Sequence, residues 1–384
     1  MNVDTKVLHS YPVIDSETGA AAIPKYQAST FHQKNFPDSQ EYTYTRFGNP
    51  TVKAAEKAVA ALEDAKYGIA FSSGMAAITA SLLVLNSGDH LVLGGNIYGG
   101  TFQLLTELLN RFNVTYTFVD ERNPLAWEEA IRSNTKMFYL ETPSNPLLTV
   151  TDIQAVCRIA KTHGLITICD NTFMTPYFQQ PLILGVDIVI HSATKFLGGH
   201  SDIVMGVAVT NSEELKEKLR KNQKIIGSIP GIEEAWLLLR GIKTLAVRMK
   251  QASCNALILA NRLQSLVNVQ AVHYPGLENH PDHLQHFKQA TNGGAVLSFE
   301  LNTERQVHQL FQRIKLPIVA VSLGGVESIL SYPWTMSHAC MAESDRLKAG
   351  VTPKLVRLSC GIEDVDDLWL DIQQALEGEE NEEN

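Results

Sequence analysis

The stretch Asp187-Ile-Val-Ile-His-Ser-Ala-Thr-Lys-Phe-Leu-Gly-Gly-His200 starts as a strand and ends as a loop. Its continuous apolar run suits a strand buried on both faces. The run delivers Ser192, Thr194 and Lys195 into a glycine-containing loop. Two hydroxyls and an amine at a strand end suit a phosphate beside a reactive carbonyl. A lysine in a partly desolvated pocket has a lowered pKa, so it can serve as nucleophile and later as base. A solvated surface charge is the commoner role of a lysine, and the neighbouring stretches decide between the two.

Upstream of this stretch, short apolar runs alternate with helical ones. The strands expected are Tyr67–Phe71, His90–Leu93, Val114–Val119, Lys136–Leu140, Leu165–Cys169, Asp187–Ile190 and Ile203–Val209. Met75–Leu85, Phe102–Phe112, Pro124–Ile131 and Asp152–His163 read as helices. This alternation predicts an α/β fold with a mainly parallel sheet covered by helices on both faces. Beyond about Pro230 the pattern changes. A long helix is expected over Leu245–Leu266, strands over Ala295–Phe299, Ile318–Val321 and Leu355–Ser359, and a closing amphipathic helix over Asp364–Leu376. We therefore expect an N-terminal arm over residues 1–45, a large domain over 46–235, and a smaller C-terminal α+β domain over 236–384. The arm contains Pro12, Pro24 and Pro37, shows little periodicity and reads as extended. The tail from Glu377 carries like charges and no apolar anchor, so a solvated, disordered end is expected.

The composition narrows the function. The chain of 384 residues is 45% hydrophobic and 19% charged, which is globular. Its 32 basic against 41 acidic residues leave a formal charge of -9, a poor match for the phosphate backbone of nucleic acid. No apolar run is long enough to cross a membrane, and no secretion signal is visible, so the cytoplasm is the expected location. The five cysteines are scattered and form no C-x-x-C pair, which argues for reduced thiols and against structural zinc. His280-Pro-Asp-His-Leu-Gln-His286 spaces three histidines by three, but it reads as a surface helix, and no metal is expected.

Two further stretches belong with Lys195. In Ala70-Phe-Ser-Ser-Gly-Met-Ala-Ala77 a strand ends, Ser73 and Gly74 turn, and a helix begins at Met75. Unpaired N–H groups there can cradle a phosphate. The pattern fits neither a dinucleotide fingerprint nor a P-loop. In Ile166-Thr-Ile-Cys-Asp-Asn-Thr172, Asp170 lies just past a buried strand, where a carboxylate needs a cation, a metal or backbone donors. Open α/β sheets bind ligands at that end.

At these three stretches the chain resembles the Cys/Met-metabolism enzymes that use pyridoxal 5′-phosphate (PLP), relatives of cystathionine β-lyase, γ-lyase and γ-synthase and of methionine γ-lyase. The resemblance runs from the arm to Ile362-Glu-Asp-Val-Asp-Asp-Leu368, and DIVIHSATKFLGGHSD is its most specific run. It implies PLP fold type I, aspartate-aminotransferase-like, with the cofactor in the large domain. It also implies a homotetramer of two tight dimers. By the same resemblance Lys195 links covalently to PLP, and Asp170 pairs with the pyridine nitrogen. Tyr98 stacks on the ring and shares in catalysis. Ser73, Gly74, Met75, Ser192 and Thr194 hold the phosphate. Tyr44 and Arg46 reach the phosphate of the neighbouring subunit, so that the active site is shared across a dimer. Asn145, in Glu141-Thr-Pro-Ser-Asn-Pro146, contacts the side of the ring that bears its hydroxyl. Arg357 takes the substrate carboxylate, with Ser322, Tyr98 and Asn145 shaping that end.

The reaction implied is β-elimination from cystathionine, giving homocysteine, pyruvate and ammonia. γ-Elimination, to cysteine, 2-oxobutyrate and ammonia, is the alternative; γ-synthase and methionine γ-lyase activity rank lower. Methionine γ-lyases typically carry a cysteine two residues after the stacking tyrosine, where this chain has Gly100. Many γ-lyases and γ-synthases have a glutamate before the serine of S-L-G-G, where this chain has Val321. The surroundings, Glu327 to His338, resemble those of bacterial β-lyases. Two other readings stay open: an α/β enzyme using Lys195 as a plain phosphate ligand, and a non-catalytic PLP-binding regulator.

Overall fold

The computed structural model describes residues 1–11 and 13–377. The acidic tail beyond Glu377 lies outside the described residues. Seven strands form the first sheet: β1 (Tyr67–Phe71), β2 (His90–Gly94), β3 (Thr115–Val119), β4 (Thr135–Glu141), β5 (Ile166–Asp170), β6 (Ile188–Ser192) and β7 (Gly206–Thr210), in the order β1-β7-β6-β5-β4-β2-β3. β7 pairs antiparallel with both neighbours, and the other pairs are parallel. The sheet is thus mainly parallel, and both its faces are buried. Along β5, Ile168 enters one apolar core and Cys169 the other; along β6, Ile190 and Val189 divide in the same way. That two-sided burial explains why these strands read as unbroken apolar runs.

The second sheet holds β8 (Val269–His273), β9 (Val296–Leu301), β10 (Ile318–Val319), β11 (Ile329–Ser331) and β12 (Leu355–Ser359), in the order β10-β11-β12-β9-β8. All its pairs are antiparallel except β10 with β11. A third core lies on it, built by the Leu245–Leu263 and Val365–Leu376 helices around Phe299, Leu330 and Leu358.

Three expectations change. The arm is not extended throughout: Val3–His9 is a helix, with Asn2 as its N-cap and Val7 buried. Asp4 accepts from Tyr177 Oη and pairs with Lys250, so tertiary contacts hold a segment too short to be helical alone. The expected Phe102–Phe112 helix breaks into an α turn (Gly99–Gln103), a π turn and a 3₁₀ turn. There Thr106 donates back to the Phe102 carbonyl, a bond that commonly bends helices. Finally, Ile203 and Met205 are buried in a loop that precedes β7 and do not belong to the strand. Among the described residues no helix is long and apolar enough to cross a membrane.

Candidate active site

The carboxyl ends of β1, β2, β4, β5 and β6 open onto one cavity of about 480 Å³. Ser73 ends the turn after β1 and caps the Gly74–Leu82 helix by accepting from the Ala76 N–H at 3.0 Å. The N–H groups of Gly74 and Met75 have no partner within the helix and form the positive end of its dipole. Two glycines shape this corner. A Cβ on Gly74 would lie 2.8 Å from the Ser192 side chain, and one on Gly206 would lie 2.2 Å from the Ser73 carbonyl oxygen. The cradle is therefore as tight as the backbone allows. Ser192 lines it, and its hydroxyl has no partner among the described residues. Thr194 lines it too, but its hydroxyl donates to the Met205 carbonyl at 3.2 Å and accepts from the Met205 N–H. It can serve a phosphate only by giving up that donation.

Asp170 ends β5, is buried, and accepts from the Thr172 N–H at 3.0 Å. Burial raises its pKa, opposed by the Thr172 bonds and by His191. Among the described residues no lysine or arginine pairs with it. A buried carboxylate without a cation suits a cationic ring nitrogen. The open helix terminus, the glycine-tight corner and this unpaired acid fit the phosphate and the protonated ring of PLP at its two ends. Tyr98, 41% exposed, also lines the cavity.

Lys195 Nζ donates to Ser322 Oγ at 2.5 Å. Burial, and then the nearby Arg357 cation, bring its pKa down to about 8. Ser322 is held at φ +88°, a strained conformation for a residue other than glycine that is typical of functional sites. Gly324 enforces the approach, since a Cβ there would sit 2.6 Å from the Phe196 N–H nitrogen. Arg357, on β12, is buried. It donates to Asn145 Oδ1 at 2.8 Å, the Ser322 carbonyl at 2.7 Å and Ser331 Oγ at 3.2 Å. Burial lowers its pKa to about 10. The amine and the guanidinium thus converge on Ser322, one on its hydroxyl and the other on its carbonyl.

Tyr44 and Arg46 do not line this cavity. Arg46 donates to the Lys224 carbonyl at 2.9 Å and lies over the rings of Phe47 and Tyr44, and Tyr44 is 41% exposed. The three histidines of 280–286 do not converge on one point: His283 and His286 bond the carbonyls of Pro275 and Asn292. His200 bonds the Gly198 carbonyl.

Two residues escape a reading by motif. Glu141 ends β4 in register with Asp170 and lines the cavity. A strand-end acid past a buried run is the signal that marks Asp170, and it marks Glu141 equally. Arg248 is buried in the Leu245–Leu263 helix and donates to the Phe196 and Gly241 carbonyls, pinning the lysine loop from behind. Nothing in its helical context distinguishes it from a surface arginine.

With PLP bound, the site gains an electron sink next to the substrate α-carbon. The chain's own groups supply the rest. Lys195, with a pKa of about 8, can take and return a proton near physiological pH; Arg357 can hold a carboxylate; the sheet end and the second sheet both line the cavity.

Comparison with known proteins agrees with this geometry. Residues 4–377 match the family model described as Cys/Met metabolism PLP-dependent enzyme. The chain is 51% identical to cystathionine beta-lyase MetC of Bacillus subtilis (strain 168), over 97% of this chain and 96% of that one. It is 48% identical to cystathionine gamma-lyase of the same organism, over 98% and 100%. The crystal structure of cystathionine gamma-lyase from Lactobacillus plantarum complexed with L-serine superposes with a TM-score of 0.96 at 43% identity, covering 98% of each chain. A cofactor cradle, an unpaired buried acid and a depressed lysine, meeting at one sheet end in a chain matched over nearly its full length, have one reading: the protein belongs to the pyridoxal-phosphate-dependent enzymes of cysteine and methionine metabolism.

Proposed function

We propose that the protein is a carbon–sulfur lyase that cleaves cystathionine by β-elimination to homocysteine, pyruvate and ammonia. The observation that carries this is the convergence of Lys195 and Arg357 on Ser322. The base and the carboxylate anchor meet across one residue, an arrangement that suits an α-amino acid held by its carboxylate with its α-hydrogen toward the amine. In this reading Lys195 links to the cofactor and moves the α-proton, and Asp170 holds the ring nitrogen. Tyr98 stacks and assists proton movement. Ser73, Gly74, Met75, Ser192 and Thr194 hold the phosphate. Asn145 and Ser322 complete the ring and carboxylate ends.

The choice of β over γ rests on the distal wall. Among the described lining residues the acids are Asp170 and Glu141, both at strand ends. Val321, 61% exposed, lines the cavity with no charge for a distal ammonium. Gly100 offers no thiol, and a Cβ there would have to displace the Tyr98 ring at 2.6 Å and Met75 Sδ at 2.8 Å. The test is incubation of the purified protein with cystathionine. Homocysteine with pyruvate is the expected outcome; cysteine with 2-oxobutyrate would instead establish γ-elimination, which the 48% identity to a γ-lyase supports.

The proposal extends to assembly and location. Tyr44 and Arg46 complete the phosphate site of a second copy, within a dimer of dimers; their position away from their own cavity supports this. The five cysteines are unpaired, in keeping with a reducing cytoplasm.

A further inference from the structure

We propose that Glu141 is a positioning residue that couples capture of the substrate carboxylate to placement of the ring-stacking Tyr98. The proposal rests on the cofactor reading of the site, not on which sulfur substrate is cleaved. Glu141 Oε2 accepts from the Tyr98 N–H at 2.8 Å, and Oε1 accepts from the Asn145 N–H at 3.0 Å. Asn145 Oδ1 in turn accepts from Arg357 Nη1 at 2.8 Å. A continuous hydrogen-bonded path therefore runs from the loop that carries the stacking ring, through one carboxylate, to the arginine that faces the substrate.

The residue type is dictated by the two donors. Only a carboxylate offers an acceptor oxygen to each N–H; a glutamine would turn its amide, a donor, toward one of them. The charge on Glu141 is opposed, and its pKa is pushed up to about 8. Burial, and then repulsion from Asp170, raise the Glu141 pKa, while the two N–H donations pull it back. Arg357 and Tyr98 also lie within its field, and Glu141 favours the charged form of the arginine. An acid placed beside a second one, with each oxygen bonded to a different working loop, is poorly explained by packing alone. Glu121 supplies a natural control. It straps the same β2 loop through the Gly95 N–H and Asn96 Nδ2, at 3.0 and 2.8 Å, and makes no bond to Asn145.

The first measurement is amide hydrogen exchange on the cofactor-free protein. Glu141→Gln should speed exchange by about tenfold at whichever of Tyr98 and Asn145 then faces the amide, the loss of one hydrogen bond. Glu121→Gln should speed exchange near Gly95 without affecting Asn145. The second uses the holoenzyme with two unreactive probes, glycine and ethylamine, read by the visible absorption band. Glu141→Gln should weaken glycine by about tenfold and leave ethylamine, which lacks a carboxylate, near wild type. Unchanged exchange at Tyr98 and Asn145, or equal weakening of both probes, would overturn the proposal. Should the glutamine variant not fold, Glu141→Asp, too short to span both donors, is read by the same criteria. An absence of any visible band in the wild type would instead indict the cofactor reading.

Discussion

At the scale of the residue, Ser322 stands between two cations, and this makes Lys195 a tunable base. Only the neutral amine attacks a carbonyl. With a pKa of about 8, neutral Lys195 rises from about a tenth of molecules at pH 7 to about nine tenths at pH 9. Attachment of the cofactor to the cofactor-free protein, followed by its visible band, should quicken about tenfold over that interval and then level off. An ordinary lysine would still be climbing. Arg357→Leu removes one of the two causes, so the midpoint should move upward, with burial keeping it below the ordinary value. Lys195→Ala should retain the cofactor non-covalently and lose at least about a thousandfold in turnover, since one side chain acts twice; near-normal turnover would refute the assignment. Val321→Glu tests reaction choice through the ratio of pyruvate to 2-oxobutyrate. Because Val321 is 61% exposed, a new ion pair there is worth at most about 1 kcal/mol, or roughly a fivefold shift in that ratio. An unchanged ratio would leave Val321 a packing residue. That Lys195, Asp170 and the Ser73–Met75 turn lie at strand ends of one sheet was legible because each ends an apolar run. Arg248 was not, because burial of one helical arginine depends on the loop that folds over it.

At the scale of the element, β7 matters more than its length suggests. It is the reversed strand of the first sheet, and it brings Gly206 against Ser73 where the cradle forms. Gly206→Ala forces a Cβ onto a backbone oxygen that cannot step aside, so strand and helix must part. We expect about 1–3 kcal/mol of destabilisation, read by denaturant melting, together with at least a tenfold weaker hold on the cofactor. A stable variant with normal cofactor affinity would show that the corner is looser than it is drawn. The sequence rendered the strands of this sheet to within a few residues, because two-sided burial writes an unmistakable run. It was silent on the helices Glu213–Ile226 and Ile232–Ile242 and on the short β11. Glu213–Ile226 buries only Leu215, Leu219 and Gln223, too sparse a stripe for periodicity to find. The loop before β7 misled because Ile203 and Met205 are apolar for the sake of the lysine loop above them.

At the scale of the whole molecule, the arm raises the question of what it serves. Arg46 and Tyr44 do not line the cavity of their own chain. Mixing an Arg46→Ala chain with a Lys195→Ala chain should restore part of the activity that each lacks, because a hybrid dimer carries one intact site. Hybrids that form and stay inactive would count against sharing. Sequence could suggest that such an arm needs a partner surface, but its first turn folds as a helix on its own chain, held by Lys250 and Tyr177. The two ends of the substrate site come from distant parts of the chain: Asn145 and Arg357, bonded to each other, are 212 residues apart. During synthesis the cofactor-binding half emerges first. At ordinary elongation rates, roughly 10–40 s separate the ribosome's addition of those two residues. For that interval the nascent chain already has Lys195, Asp170 and the Ser73–Met75 turn but still lacks the arginine that closes the other end of the cavity.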